Sequence, residues 1–273
     1  MKLSYISLVI NLLIISLFGC SKTSTTDPAP DTCKLSVIDR GNGNKHTYTY
    51  DAAGRISQMS REFDGTGSGK ISRYVYTFTY DAAGLLTKSV STLNGKADGS
   101  ETYTYTSGRI SKASGVSADG SKYTNDIKYN AAGQTTEYTI DDGDPADFVR
   151  LYIAYNTDGI AIKRGYDDGK GSVFFEVVYK PVGKATSPEQ LLAKAGLPYD
   201  VLTGFSWSVA EGGEGSTYES FSPDAKTGKL VSDGTGKTTS VKTNTKGYLI
   251  EITDLDNTSK MNSTQKFTLT DCN

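Results

Sequence analysis

The stretch YTYDAAGRIS at residues 48–57 returns as FTYDAAGLLT (78–87), YTYTSGRIS (103–111), IKYNAAGQTT (127–136) and IAYNTDGIAI (153–162). Its glycines, Gly54, Gly84, Gly108, Gly133 and Gly159, fall 30, 24, 25 and 26 residues apart. A sixth copy, VVYKPVG (177–183), keeps the Tyr and the Gly but has lost the acidic or amide residue between them. Alternation of Tyr and Thr ahead of each turn has the period of a strand with two unlike faces. Asp51, Asp81, Asn130 and Asn156 then open a turn, because their short side chains accept hydrogen bonds from backbone N–H groups just ahead. The Gly supplies the positive φ that lets the chain reverse. A second reversal is signalled between copies, at Asp64-Gly65, Asp98-Gly99, Asp119-Gly120, Asp142-Gly143 and Asp168-Gly169. Each period thus holds two strands and two reversals, and consecutive strands run antiparallel.

The expected fold is all-β, a long antiparallel β-meander of these hairpins forming one curved sheet or two packed layers. Strand-like runs resume after residue 180 at Phe205–Val209, Tyr218–Phe221, Lys229–Val231, Ser240–Lys242, Tyr248–Ile252 and Lys266–Thr270, for 16 to 18 strands in all. Gly228 and Gly247 read as degraded copies of the same turn. Ser187, Pro188 and Gln190 form a helix start ahead of Leu191, Leu192 and Ala195, which predicts one short helix near 188–196.

Composition narrows the function. The 273 residues carry 29 Lys+Arg against 31 Asp+Glu, a formal charge of -2 that gives no reason to expect a nucleic-acid partner. With 36% hydrophobic residues and 18 Tyr the chain is globular. A single histidine, His46, removes most catalytic and zinc constellations at once. It sits in a predicted strand without a nucleophile to activate and reads as a surface residue. Asp141, Asp142, Asp144 and Asp147 lack the Gly and the final acid of a helical calcium loop and read as solvated turn residues, as do Asp167-Asp168 and Asp254 with Asp256. Glu176, between Phe175 and Val177, is the one acid set in an apolar run. No catalytic residue, metal site or cofactor is expected. Tyr50, Tyr80, Tyr105, Tyr129, Tyr155 and Tyr179 hold equivalent positions and should form a ladder, either as packing residues or as a platform for stacking sugars.

An apolar run from Ile6 to Phe18 follows Lys2, too short to span a bilayer as a helix and typical of a secretory leader. It ends in Leu17-Phe18-Gly19-Cys20, which resembles the lipobox of bacterial lipoproteins; the alternative is an ordinary cleaved leader. The resemblance implies cleavage after residue 19, acylation of Cys20 and a lipid-held membrane anchor. Residues 20–32, rich in Ser, Thr and Pro, then read as a flexible tether, and residues 33–273 as a single β domain. Ser21, where an Asp would signal inner-membrane retention, implies the outer membrane, with either face open. Two cysteines remain, Cys33 and Cys272, and an exported chain meets oxidising conditions, so a disulfide is expected; the alternative is two unrelated thiols.

The repeats resemble the YD repeat of Rhs-type proteins, over roughly residues 45 to 185. The encapsulating role of the large Rhs proteins does not transfer to so short a chain. Together the two resemblances describe a Bacteroidota-like lipoprotein with YD/Rhs-type repeats. The expected function is non-catalytic: a lipid-anchored envelope scaffold or binding module for a glycan or protein partner. The alternatives are an envelope glycan hydrolase using sheet carboxylates and a structural subunit of an outer-membrane complex.

Overall fold

The computed structural model describes residues 33–64, 69–144, 148–183, 187, 191, 192, 195, 197 and 212–272. Residues 1–32, with the leader, Cys20 and the tether, lie outside the described residues, as do Gly65, Asp147 and the strand expected at 205–209.

The described strands are β1 (Lys34–Asp39), β2 (Lys45–Tyr50), β3 (Ile56–Phe63), β4 (Ser72–Tyr80), β5 (Leu86–Leu93), β6 (Lys96–Thr106), β7 (Arg109–Ser117) and β8 (Lys122–Tyr129). They continue as β9 (Thr135–Ile140), β10 (Val149–Tyr155), β11 (Ala161–Asp167), β12 (Val173–Lys180), β13 (Thr217–Pro223), β14 (Leu230–Thr243), β15 (Leu249–Asp256) and β16 (Asn262–Thr270). Each pairs antiparallel with the next in sequence, and β1 also pairs with β16, with Leu35 opposite Leu269 and Ile38 opposite Phe267. The sheet is therefore a closed barrel, neither the open curved sheet nor the two layers expected from sequence. Closure removes both edge strands, and the pairing that achieves it joins residues from opposite chain ends. The Cys33–Cys272 disulfide lies just beyond that seam, across a sequence separation of 239.

Three further expectations change. Asp98-Gly99 is not a turn but part of β6; the β5–β6 reversal is at Asn94-Gly95, whose φ values of 52° and 81° fit a two-residue hairpin turn. The runs at Lys229–Val231 and Ser240–Lys242 belong to one strand, β14. The described elements are all strands; of the helix expected at 188–196, only Leu191 and Leu192 are described in helical conformation, and most of the segment lies outside the described residues.

The repeat turns share one hydrogen-bond pattern. In the first, the Gly54 N–H donates to the Asp51 carbonyl at 3.0 Å, Asp51 N–H to the Arg55 carbonyl at 2.8 Å, and Ala53 and Arg55 N–H to Asp51 Oδ1 at 2.9 Å. The same closure recurs at Asp81/Gly84, Asn130/Gly133, Asn156/Gly159 and Asn244/Gly247, with φ at these glycines between +75° and +84°. The third copy is one residue shorter and turns on Ser107 and Gly108, both at positive φ.

Neighbouring hairpins are joined by the repeat tyrosines. Tyr50 donates its hydroxyl to the Leu35 carbonyl at 2.7 Å, Tyr80 to Ile56 at 2.7 Å, Tyr105 to Leu86 at 2.9 Å, Tyr129 to Ile110 at 2.9 Å and Tyr155 to Thr135 at 2.8 Å. From Tyr80 onward the acceptor is the residue two beyond the previous repeat Gly. Arg55 and Arg109, each directly after a repeat Gly, stack on the next tyrosine, 4.7 Å from the Tyr80 ring and 5.5 Å from the Tyr129 ring.

The two faces of the sheet differ sharply. Ile56, Met59, Leu86, Ile110, Leu249 and Ile252 are fully buried on the inner face, in one cluster with Tyr48, Phe78, Tyr103, Ile127 and Phe267. Leu191, Leu192 and Leu197, from the β12–β13 connection, belong to the same cluster, and the Ala195 carbonyl accepts from Ile56 N–H at 3.2 Å. A 16-stranded barrel has room for a water channel; here the side chains of the inner face, with Leu191, Leu192 and Leu197, fill the interior among the described residues. The outer face is mostly polar, with Val90 and Val116 exposed among polar neighbours in one row. Thr79, Lys88, Thr102, Ser114 and Thr124 stand opposite one another across β4 to β8. Cross-strand ion pairs continue it: Lys128–Glu137 at 2.6 Å, Lys163–Glu176 at 2.7 Å and Lys242–Glu251 at 2.7 Å.

Tyr80→Phe is expected to lower unfolding free energy by about 1–2 kcal/mol, because it leaves the Ile56 carbonyl without its donor. Thr79→Val, one residue away on the outer face, should stay within about 0.5 kcal/mol. Urea denaturation of both variants checks the pair.

Candidate functional site

Successive hairpins of an up-and-down barrel lie at alternate ends. The repeat turns, the disulfide and the β12–β13 connection share one end, where Ile56, Leu86 and Ile110 fill the interior. The other end carries the β5–β6, β7–β8 and β9–β10 hairpins, and there the inner face turns polar. A pocket of about 650 Å³ opens between them, lined by Tyr76, Tyr123, Tyr138, Glu101, Asp98 and Asn125 among others.

Register explains how these groups meet. Phe78, Ser89, Glu101, Gly115 and Tyr123 lie opposite one another across β4 to β8, so five strands contribute one inner row. Gly115 has no side chain, and the Tyr123 ring lies over it: a Cβ added there would meet Tyr123 Cζ at 2.0 Å. Crossing that gap, the Tyr123 hydroxyl donates to Glu101 Oε1 at 2.9 Å. The Tyr103 hydroxyl lies 2.8 Å from both Glu101 Oε2 and Ser89 Oγ; its proton goes to the carboxylate, and it accepts from Ser89. Burial pushes the Glu101 carboxyl above its ordinary range, against the opposing pull of these two tyrosine hydrogen bonds. Burial likewise raises the Tyr123 phenol, and it raises Tyr76 to about 12, so both stay protonated donors. Asn125, buried, accepts from the Tyr138 hydroxyl at 2.7 Å and donates to the Thr124 and Thr139 carbonyls. At the rim, Ser91 donates to Asp98 at 3.0 Å.

The residues singled out from sequence lie elsewhere. Tyr50, Tyr80, Tyr105 and Tyr129 pack their rings against the inner core, and the hydroxyls of these four and of Tyr155 are occupied by backbone carbonyls. Tyr179 lies opposite Tyr218. Asp51 is held below its ordinary range, first by the Arg55 N–H it accepts. Glu176 stands on the outer face, accepting from Tyr152 at 2.7 Å. Asp141 and Asp142 each accept a backbone N–H within their own turn. Asp167 is not a solvated turn residue: it is buried and held by Arg150 through contacts of 2.9 and 2.6 Å. Asp254 is also drawn inward, where burial raises its carboxyl while Thr238 donates to it. Among the described residues no group of His, Cys, Asp and Glu converges on a metal-binding arrangement.

His46 is not at the surface but buried on the inner face at 3% exposure, opposite Arg61 and within 3.3 Å of Arg40. Burial, then Arg40 and Arg61, lower its pKa from 6.5 to about 3.

No protein-family model matches the chain, and no curated protein matches it. Among solved structures, a porin-like protein from Bacteroides uniformis ATCC 8492 covers 87% of this chain and 96% of its own, at 14% identity and a TM-score of 0.52. That likeness is one of fold: an antiparallel β-barrel. The TcdB2-TccC3-TEV structure matches 78% of this chain over 11% of its own length, at 13% identity and a TM-score of 0.31.

Because folded His46 binds its proton only near pH 3 and the unfolded chain binds it near 6.5, protonation favours the unfolded state. Its contribution is fully present above pH 6.5 and declines as pH falls toward 3. His46→Gln should remove this part of the pH dependence. Urea midpoints of the variant and wild type, compared from pH 7.5 to 4.5, should converge or cross as pH falls.

Proposed function

We propose that the chain is a non-catalytic, lipid-tethered binding barrel of the bacterial outer membrane, built from YD-type hairpins and standing in water rather than in the bilayer. The observation that carries this reading is the polarity of the two faces. A membrane-spanning barrel presents an apolar outer band about 25 Å tall over a polar lumen. Here the outer row runs Thr79, Lys88, Thr102, Ser114, Thr124, and the inner face holds the apolar cluster. The porin-like character named for the Bacteroides uniformis protein is therefore not proposed for this one.

Membrane attachment then falls to Cys20, through acyl chains that each contribute about 0.8 kcal/mol per buried methylene. The tether joins the barrel at Cys33, at the repeat-turn end, so the Glu101 pocket opens at the opposite end. The non-catalytic reading is supported by the repeat itself, whose recurrent acidic and amide residues are engaged by turn amides. The binding role is supported by the pocket.

Wild-type protein should enter the detergent phase on Triton X-114 partitioning, and Cys20→Ser expressed from residue 20 without the leader the aqueous phase, monodisperse without detergent. Association of the leaderless Cys20→Ser chain with lipid vesicles that survives an alkaline carbonate wash would contradict the proposal.

A further inference from the structure

We infer that the pocket around Glu101 binds a small organic cation, an ammonium or guanidinium group carried on a short hydrocarbon stem. This rests on the reading of the barrel as a binding module and names the ligand class of its site.

The lining holds Asp98, Glu101, Asp119 and Asp142 and, among the described residues, no Lys, Arg or His. Several polar side chains able to donate are committed to the protein, and the remaining hydroxyls of the lining, on Tyr76, Ser100 and Ser117, accept as well as donate. Tyr123 donates to Glu101, Ser91 to Asp98, and Tyr138 to Asn125; Ser89 donates to Tyr103. Each carboxylate has about four lone-pair sites, so Glu101, with two donors counted, retains acceptor capacity. The pocket therefore presents acceptors and asks its ligand for donors. An anion is repelled by the lining, whereas a cation gains charge-assisted hydrogen bonds.

The remaining wall is aromatic. Tyr76, Tyr123 and Tyr138 present ring surface to the same space, suited both to an apolar stem and to attraction of a cation by the ring faces. Arg61, the nearest inner-face cation along β3, is turned to Phe63, 5.2 Å from that ring, and is not part of the lining. The volume of about 650 Å³ is within the range of small-molecule sites. Glu101 is the centre of this arrangement: its own strand supplies Tyr103, β8 supplies Tyr123 across Gly115, and Ser89 of β5, opposite it in register, holds Tyr103.

The test is isothermal titration of the mature-length Cys20→Ser chain with agmatine, and in parallel with methyl glucoside and glutarate. Agmatine should bind one to one, and glutarate should give no heat. Glu101→Gln should weaken agmatine about tenfold or more, as expected for loss of a charge-assisted contact. Glu219→Gln, on the outer face of β13, should leave the affinity unchanged. Asp98→Asn, at the rim, is the second arm should Glu101→Gln fail to fold, and it should weaken binding in the same direction. Absence of agmatine binding, or affinity unchanged in both Glu101→Gln and Asp98→Asn, overturns the inference. Methyl glucoside binding that is lost in Tyr76→Ala, with agmatine inert, overturns the cation while leaving the binding module standing. Silence from all three probes overturns both.

Discussion

One hydrogen bond, repeated, organises this molecule: a tyrosine hydroxyl on one hairpin donating to a backbone carbonyl on the hairpin before it. A β-hairpin alone is marginal in water, and a string of them needs something that fixes each to its neighbour at one height. The bond from Tyr80 to Ile56, repeated from Tyr105 to Leu86, from Tyr129 to Ile110 and from Tyr155 to Thr135, does this at the same place in four successive units. It requires the tyrosines to face inward, where their rings join the core, and it consigns the alternating Thr and Lys residues to the outside. The polarity of the whole barrel follows from which face the hydroxyls must reach.

That polarity distinguishes the chain from a membrane barrel of similar strand number. At the repeat-turn end the interior is apolar and is filled further by Leu191, Leu192 and Leu197. At the other end the same inner rows pass through Ser89, Glu101 and Asn125, and a pocket takes the place of packing. Gly115 is the pivot between the two regimes. Removing a side chain from an inner position lets the Tyr123 ring lie flat across the strand and bring a hydroxyl to Glu101. Gly165 allows Tyr152 the same reach toward Glu176 on the outer face. This device ties a carboxylate to a tyrosine two strands away.

The repeating turn was legible in the sequence because its causes are local: an Asp or Asn that accepts nearby amides and a Gly at positive φ. Closure was not, since it depends on Leu35 meeting Leu269 and Ile38 meeting Phe267, and no short-range signal records that. Asp98-Gly99 imitated a turn, but Asn94-Gly95 lies four residues earlier and suits the two-residue reversal better, and register then absorbs Gly99 into β6. The tyrosine ladder could be read as a row; its hydrogen-bond acceptors could not, because each lies about twenty residues back on a different strand. The same reason hid the pocket. Glu101, Tyr123 and Asn125 carry no motif, and only the pairing of β5, β6, β7 and β8 puts them together. His46 appeared to be a surface residue, yet alternation places it on the same face as Tyr48 and Tyr50.

The central claim is that Thr79, Thr102 and Thr124 face water, and it is tested most directly by placing a single cysteine at each in the full-length protein and attaching a fluorophore. In native membranes the account predicts full reaction with a membrane-impermeant maleimide and no quenching by nitroxide-labelled lipids. Protection from the reagent, with quenching by acyl-chain nitroxides at all three positions, would contradict it and make the outer face a lipid-facing one.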